Sequence, residues 1–332
     1  MLSRLRRAED AAEDAVEDAR TWLLVAGSLV GLVYGIAIRL ISGPGVMTLG
    51  FILAMPFALG FLAVFVVERE QAQKLGMWLR LPWVPLAAAL VGMWLALIEG
   101  LICIAMFAPI ALILASVGGV AGGLCARALR TRRSQGITLT CVAVVPFCIM
   151  PWEGPVFHRT VIREVENVID IHAPPTVVWR NIERVPPIRT DELPVSWTRG
   201  VGFPDPVEAT LSEEGVGGVR QASFKGGLLF VETVDAWQPQ RRLAFTIRAD
   251  RVPRATLDEH VTVGGAYFDV LRGEYRLETL ANGVTRVHLS SQHRLSTDFN
   301  WYAQLWTDAV MADLQRNILS VIRQRCEKAG NS

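Results

Sequence analysis

The C-terminal half of the sequence contains a small group of aromatic and polar side chains whose composition fits a binding site for an apolar small molecule. A site of this kind is mostly apolar and has a few fixed polar groups that orient its ligand. We predict that such a site is lined by Glu232, Phe245, Tyr267, Tyr275, His293 and Trp301.

Strand alternation places most of these residues on one side of a sheet. Successive side chains of a strand point to opposite faces, so residues two apart share a face. The inward set of the last two strands is predicted to be Gly273, Tyr275, Leu277, Thr279, Val287, Leu289, Ser291 and His293. Extending the alternation back along the first of these strands puts Tyr267 and Leu271 on the same side. Glu232 has the parity of Phe230 and Val234.

Each candidate also has a simpler structural interpretation, which the sequence leaves open. Phe245 and Tyr275 are typical core residues. Glu232 fits an ion pair with Arg220 or Arg199 at the rim of a site.

His293, near a strand end, also fits a plain hydrogen-bonded histidine, and Trp301 fits either packing or contact with lipid. The histidines show no metal-binding spacing, and no serine, histidine and acid grouping can be assembled from a motif. Only Cys326 of the five cysteines lies outside the apolar half, which gives no disulfide framework. We therefore predict no catalytic set, no metal and no cofactor.

The elements that must position these residues are those of an α+β domain. EVENVIDI alternates like a strand, and TVVWRNIERV has the spacing of a short amphipathic helix that Pro186 and Pro187 stop. Strand-like runs with turn signals follow, and Ala281-Asn282-Gly283 forms the turn of the last hairpin. A long helix from Asn300 to about Glu327 ends the chain. Its apolar residues are Trp301, Leu305, Trp306, Val310, Leu314, Ile318, Leu319 and Ile322.

These segments resemble the SRPBCC superfamily, the helix-grip fold of START lipid-transfer domains, polyketide cyclase-like proteins and the birch-pollen allergen group. The resemblance covers residues 162–326 and is carried by IDIHAPPTVVWRNI, VDAWQPQRRLAFTI, the last hairpin and WYAQLWTDAVMADLQRNILSVIRQR. It implies a curved antiparallel sheet around the long C-terminal helix. It also implies a cavity between them that usually holds an apolar small molecule, and no shared catalytic set.

The N-terminal half has the composition of a membrane α-helical bundle. A helix needs roughly 20 apolar residues to cross the hydrocarbon core. We predict about five helices, with a tight turn at Phe107-Ala108-Pro109 between the third and the fourth. The predicted spans are residues 22–41, 47–67, 84–106, 109–126 and 137–152. The domains are then a cytoplasmic amphipathic helix (1–21), the transmembrane domain (22–152) and the helix-grip domain (153–332).

The distribution of Lys and Arg predicts the orientation of the chain. Basic residues concentrate in the N-terminal segment, in the loop after the second span and in the loop before the fifth, and cytoplasmic loops collect such residues. The N-terminus is therefore expected in the cytoplasm of an inner (plasma) membrane protein. If residues 137–152 cross, the C-terminal domain is extracytoplasmic, and if they rest at the interface it is cytoplasmic. We predict crossing.

Glu99 is the acidic residue that lies deep within a predicted span. A buried carboxylate there is expensive unless it is paired or protonated. Either it forms an interhelical hydrogen bond, for example with Thr138 or Thr140, or it has a functional or partner-contacting role.

Three functions remain. The net charge of +1 offers no basic surface for nucleic acid. The first hypothesis is a membrane-anchored domain that binds a hydrophobic small molecule or lipid at the membrane face. The second is a non-enzymatic structural or interaction subunit with a membrane-protein partner. The third is a cyclase-like or hydrolase-like enzyme.

Overall fold

A computed structural model describes residues 50–70, 74–95, 100–129, 132–149, 159–252 and 262–330. The chain divides into two compact units, residues 1–157 and 158–332. The helix expected over residues 1–21, the span at 22–41, Glu99 and the boundary at 152–153 lie outside the described residues.

The described part of the N-terminal unit is made of helices. A π-helical turn, Gly50–Ala54, leads into α1, and the remaining helices follow after short connections. The helices are α1 (Met55–Glu70), α2 (Leu75–Arg80), α3 (Trp83–Leu95), α4 (Leu101–Ala128) and α5 (Arg132–Ile149).

The predicted turn at Phe107-Ala108-Pro109 is wrong. Helix α4 runs through these residues and keeps Pro109 in its interior. Proline removes one intrahelical hydrogen bond, a loss that apolar helices packed against neighbours tolerate. The chain instead leaves the helical conformation at Gly100, whose extended backbone (φ −83°, ψ 164°) forms the N-cap of α4.

Two helical segments are long and apolar enough to cross a membrane, judged by length and composition. They are Leu75–Leu95, with 21 residues, and Leu101–Ala128, with 28 residues. Several of their large apolar side chains are exposed, among them Trp94, Ile113 and Leu124. The surface of this unit is therefore apolar along the sides of these helices.

Close packing of α1 against α4 depends on glycine. A Cβ atom added at Gly118 would overlap the backbone carbonyl of Phe57, and one added at Gly122 would overlap that of Phe61. Small residues at such positions let two helix backbones approach closely, which is the usual way that apolar helices associate where water does not drive them together.

We expect Gly122→Leu to destabilise the N-terminal unit by about 1–3 kcal/mol, because the new side chain must push α1 and α4 apart. The measurement is thermal unfolding of the full chain in detergent. Gly136→Leu is the matched control, since a Cβ atom at Gly136 meets nothing within 4 Å. Equal stability of the two variants would contradict the proposed packing.

The C-terminal unit is a seven-stranded antiparallel sheet with helices. The strands are ordered β1-β7-β6-β5-β4-β3-β2 across the sheet. Its elements are β1 (Arg159–Ile171), α6 (Pro175–Glu183), α7 (Trp197–Gly200), β2 (Pro206–Leu211), β3 (Val219–Phe224), β4 (Leu229–Gln238), β5 (Arg242–Arg251), β6 (Phe268–Thr279), β7 (Thr285–Thr297) and α8 (Asn300–Gly330).

This arrangement confirms the predicted helix-grip fold. The sheet curves around α8, and Leu319 and Ile322 of that helix belong to the same apolar core as Leu243 and Leu289 of the sheet. The turn before β7 is the predicted one, with Asn282 in the left-handed conformation (φ 62°).

The predicted inward set of β6 and β7 is confirmed from Gly273 onward. For the residues of β6 before Gly273 the prediction is wrong. Val270 lies opposite His293 and Arg272 lies opposite Gln292, so Leu271 is the extra residue of a β-bulge. The bulge shifts the alternation by one residue. Phe268 and Val270 therefore take the inner positions that the sequence assigned to Tyr267 and Leu271.

The apolar stripe of α8 is buried over most of its length but not at its start. Val310, Leu319 and Ile322 are buried, whereas Trp301 is 55% exposed and Leu305 is 62% exposed. The first turns of α8 therefore present apolar side chains to the surface of this unit.

Candidate ligand-binding site

The inner face of the sheet is filled by apolar side chains at the end where α6 lies. Ile171, Val178 and Ile182 pack there with Leu243 and Ile322, all at most 1% exposed. A ligand that enters the domain must therefore lie nearer the opposite end of the inner face.

A charged pair lies on the inner face beyond this core. Arg220 of β3 and Glu232 of β4 are directly opposite each other in the ladder. Their side chains are buried, and Arg220 Nη1 donates to Glu232 Oε2 at 2.6 Å. Phe245 lies under the guanidinium, with 5.2 Å from Arg220 Cζ to the ring centre, and the Tyr275 hydroxyl interacts with the same group.

Burial away from water has the largest effect on the pKa values of the ionisable groups in this cluster. Burial raises the pKa of the Glu232 carboxyl, and the neighbouring Arg220 opposes that rise. Burial likewise raises the pKa of Tyr275, which stays a neutral hydroxyl. Arg220 Nε is buried and has no hydrogen-bond partner among the residues that the structure describes. An unsatisfied guanidinium N–H is a strong donor for which the described residues supply no acceptor.

Half-buried aromatic side chains follow the charged pair along the inner face. Phe224 and Phe230 continue the inward positions of β3 and β4, and their rings meet edge to face at 5.4 Å between centres. Ile247 of β5 lies opposite Glu232 and is also half-buried. The pair therefore lies between a filled core and an apolar wall that is partly exposed and packs on Val185 and Ala209.

A second polar group surrounds His293 on β7. The imidazole is fully buried, and its Nε2 atom lies 3.2 Å from Thr307 Oγ1 and 3.5 Å from Asp308 Oδ1, both on α8. Arg163 of β1 donates to the same aspartate. Burial lowers the pKa of His293, so the ring is neutral at pH 7.

A third polar group attaches α8 to the sheet. Gln315 accepts a hydrogen bond from Asn167 Nδ2 at 2.7 Å, and its amide nitrogen donates to Ser291 Oγ and to the Val165 carbonyl, both at 2.9 Å. The apolar stripe drawn through α8 from the sequence did not include this buried glutamine. Its position between Met311 and Leu319 on the helix was the available signal.

The structure brings Glu232, Phe245 and Tyr275 together around Arg220. The Glu232–Arg220 pair is one of the two pairings considered from the sequence, and it is buried rather than at a rim. Arg199 pairs instead with Asp205 at 2.7 Å.

The other three candidates lie elsewhere. His293 belongs to the separate polar group on β7 and α8. Tyr267 precedes β6, where its carbonyl accepts a hydrogen bond from Ser296, and Trp301 is on the surface. Participation of all six residues in one ligand site remains a prediction.

Sequence reasoning missed a polar cluster in the N-terminal unit. Glu68 at the end of α1 accepts hydrogen bonds from Trp78 Nε1 at 2.8 Å and from Arg127 Nε at 2.7 Å. The Arg127 guanidinium also stacks on the Trp78 ring at 4.4 Å. The two threonines suggested as partners of Glu99 donate to carbonyls of their own helix, Ser134 and Gly136.

No family model and no curated protein matches this sequence. Solved structures with similarity to it include the Zhui aromatase/cyclase from Streptomyces sp. R1128, at 17% identity and a TM-score of 0.31 over 50% of this chain and 94% of that chain. Protein NE0264 from Nitrosomonas europaea has 12% identity and a TM-score of 0.34 over 51% and 97%. Norcoclaurine synthase from Thalictrum flavum has 10% identity and a TM-score of 0.28 over 48% and 96%. These values do not by themselves establish a family.

We expect Arg220→Met to destabilise the C-terminal unit by about 3–5 kcal/mol, because it leaves the Glu232 carboxylate buried without a partner. The double variant Arg220→Met/Glu232→Leu should recover most of that loss, since it removes both desolvated charges. Denaturant unfolding of the full chain, followed by tryptophan fluorescence, measures both. Arg242→Met is the control. Its ion pair with Glu274 is only partly buried, so we expect a loss within about 1 kcal/mol. A double variant as unstable as the single one would contradict this account.

Protonation of His293 is expected to weaken the fold. Its pKa in the folded protein is below the ordinary value of 6.5, so the unfolded chain takes up the proton first as the pH falls. The stability that the folded chain has while His293 is neutral is complete above about pH 6.5 and is lost progressively below it. In His293→Gln, the free energy of unfolding should therefore fall less steeply between about pH 7 and pH 5 than in the parent chain. Parallel pH profiles of the two proteins would contradict this expectation.

Proposed function

We propose that this chain is a membrane-anchored helix-grip protein that binds a hydrophobic small molecule or lipid inside its C-terminal domain, at the face of the membrane. The observation that carries the proposal is the buried Arg220 Nε, which has no partner among the described residues and lies on the same face of the sheet as the half-buried rings of Phe224 and Phe230. A strong donor beside an apolar wall is the combination that holds and orients a largely apolar ligand.

The charge of the site narrows the chemistry of the ligand. Arg220 and Glu232 neutralise each other at 2.6 Å, so an anionic ligand group would add an uncompensated negative charge in a buried position. A neutral acceptor such as a ketone, ester or hydroxyl oxygen can take the free guanidinium N–H without that penalty. The proposed ligand therefore has an apolar body and an uncharged oxygen.

Membrane anchoring is proposed from the N-terminal unit. The segments Leu75–Leu95 and Leu101–Ala128 have sufficient length, and exposed Trp94 and Ile113 would be covered by lipid tails. The distribution of basic residues favours an inner-membrane, multi-pass protein with a cytoplasmic N-terminus and an extracytoplasmic C-terminal domain. Reporter fusions at Ser332 test that orientation.

A second candidate is a structural or interaction subunit with a membrane-protein partner. It is favoured by the filled core under α8, where Leu319 and Ile322 close one end of the interior. An apolar groove of about 540 Å³ between α2, α3 and α4, with Trp83 and Leu112 in its wall, offers such a partner a surface. An enzymatic role is less well supported, because Glu232 and His293 belong to different polar groups.

We expect a copurified apolar molecule in native mass spectra of the full chain purified from membranes in mild detergent. The variant Arg220→Met/Glu232→Leu should lose it, because the donor that holds its oxygen is gone. The variant Arg242→Met/Glu274→Leu should retain it, since that pair lies on the opposite face of the sheet.

Two results would overturn the proposal. One is a correctly folded parent chain that carries no apolar molecule. The other is equal retention in both double variants, which would place the bound molecule outside the domain interior.

A further inference from the structure

An aromatic cluster lies where α8 begins. Trp301 and Tyr302 are neighbours, with ring centres 5.7 Å apart, and Tyr302 meets Trp306 at 6.4 Å. Trp197 of α7 meets Trp306 at 6.5 Å. With the adjacent apolar side chains, this aromatic patch consists of Val195, Trp197, Trp301, Tyr302, Leu305 and Trp306.

Much of the patch is accessible to solvent. Trp301 is 55% exposed, Leu305 62%, Trp197 39% and Val195 fully exposed. Isolated exposed apolar residues are ordinary, but a group joined by ring contacts usually marks an interaction surface. Removing apolar surface from water is favourable, so these exposed side chains favour an apolar occupant.

The patch is at the end of the domain where the chain enters it. Asn300, the first residue of α8, donates to the Arg159 carbonyl at 2.6 Å, and Arg159 is the first residue of β1. The aromatic patch therefore lies at the end of the domain at which β1 begins.

The composition of this end suits the headgroup region of a bilayer. Trp and Tyr are enriched at that depth because each ring has an apolar body and a polar tip. Exposed basic residues lie at the same strand ends, Arg159 on β1 and Arg251 on β5, and basic residues are attracted to anionic lipid headgroups.

We propose that the aromatic patch docks the C-terminal domain onto the lipid interface of the membrane. The proposal rests on the membrane anchoring proposed above. Phe224 at the end of β3 and Leu229 at the start of β4 belong to the same end of the sheet as the start of α8. Docking through the patch therefore turns the accessible part of the inner face, with Phe224 and Phe230, toward the lipid.

The test is photo-crosslinking on the full chain reconstituted in nanodiscs of phosphatidylethanolamine and phosphatidylglycerol. Single variants carry p-benzoylphenylalanine in place of Trp301 or Leu305, both exposed positions where the new ring disturbs no core. The matched control is Val216→p-benzoylphenylalanine. Val216 is 69% exposed and lies in the turn whose Glu214 contacts Arg184 next to α6, at the other end of the domain.

We expect mass spectrometry to detect lipid adducts in the variants at positions 301 and 305 and no lipid adduct in the variant at position 216. Equal adducts at all three positions, no adduct at 301 and 305, or crosslinks from 301 and 305 to protein would overturn the docking proposal. Fractionation of the same cells separates the two proposals. A chain recovered outside the membrane fraction defeats both anchoring and docking, whereas a membrane-embedded chain without lipid adducts at 301 and 305 defeats docking alone.

Discussion

The seating of α8 on the sheet is the constraint on which the C-terminal domain depends. Gln315 contacts Asn167 and Val165 on β1 and Ser291 on β7, so one side chain satisfies polar groups of two neighbouring strands. Any sliding or rotation of the helix would break these hydrogen bonds where water cannot replace them. The apolar residues of α8 supply most of the attraction to the sheet, and the glutamine fixes their register.

This register also decides where charge can be accommodated. Thr307 and Asp308 lie two turns before Gln315 on α8 and meet His293, whereas Leu319 and Ile322 lie after it and fill the core. Arg220 and Glu232 are buried beside that core. Among the described residues, no side chain of α8 forms a hydrogen bond with either of them. Their partners are each other, Phe245 and Tyr275, all on the sheet. The sheet therefore builds the charged site, and the helix fills the apolar core beside it.

The fold could be predicted from the sequence because its signals are local. Alternation identified β6 and β7, spacing identified α8, and Asn282-Gly283 identified their turn. The bulge at Leu271 could not be predicted, because it depends on pairing with Gln292 and His293 rather than on the residues of β6 alone. Pro109 misled the assignment of α4 for a related reason. Proline disfavours an isolated helix, but a helix packed against its neighbours, as α4 is against α1 and α3, tolerates the lost hydrogen bond. In the candidate site, the alternation of side chains along the strands was enough to predict the cluster around Glu232. The exposed position of Trp301 could not be predicted in this way, because it depends on what α8 packs against.

The hydrogen bond between Asn300 and Arg159 has a mechanical consequence. Strand β1 pairs with β7 over its whole length, from Arg159 opposite Thr297 to Ile171 opposite Thr285. A pull on Arg159 directed along the strand would load the rungs of this ladder together rather than one after another. The bond from Asn300 adds the start of α8 to the same load path. A domain attached at Arg159 would then resist tension by shear of the β1–β7 ladder, in which the backbone hydrogen bonds share the force and do not break one at a time.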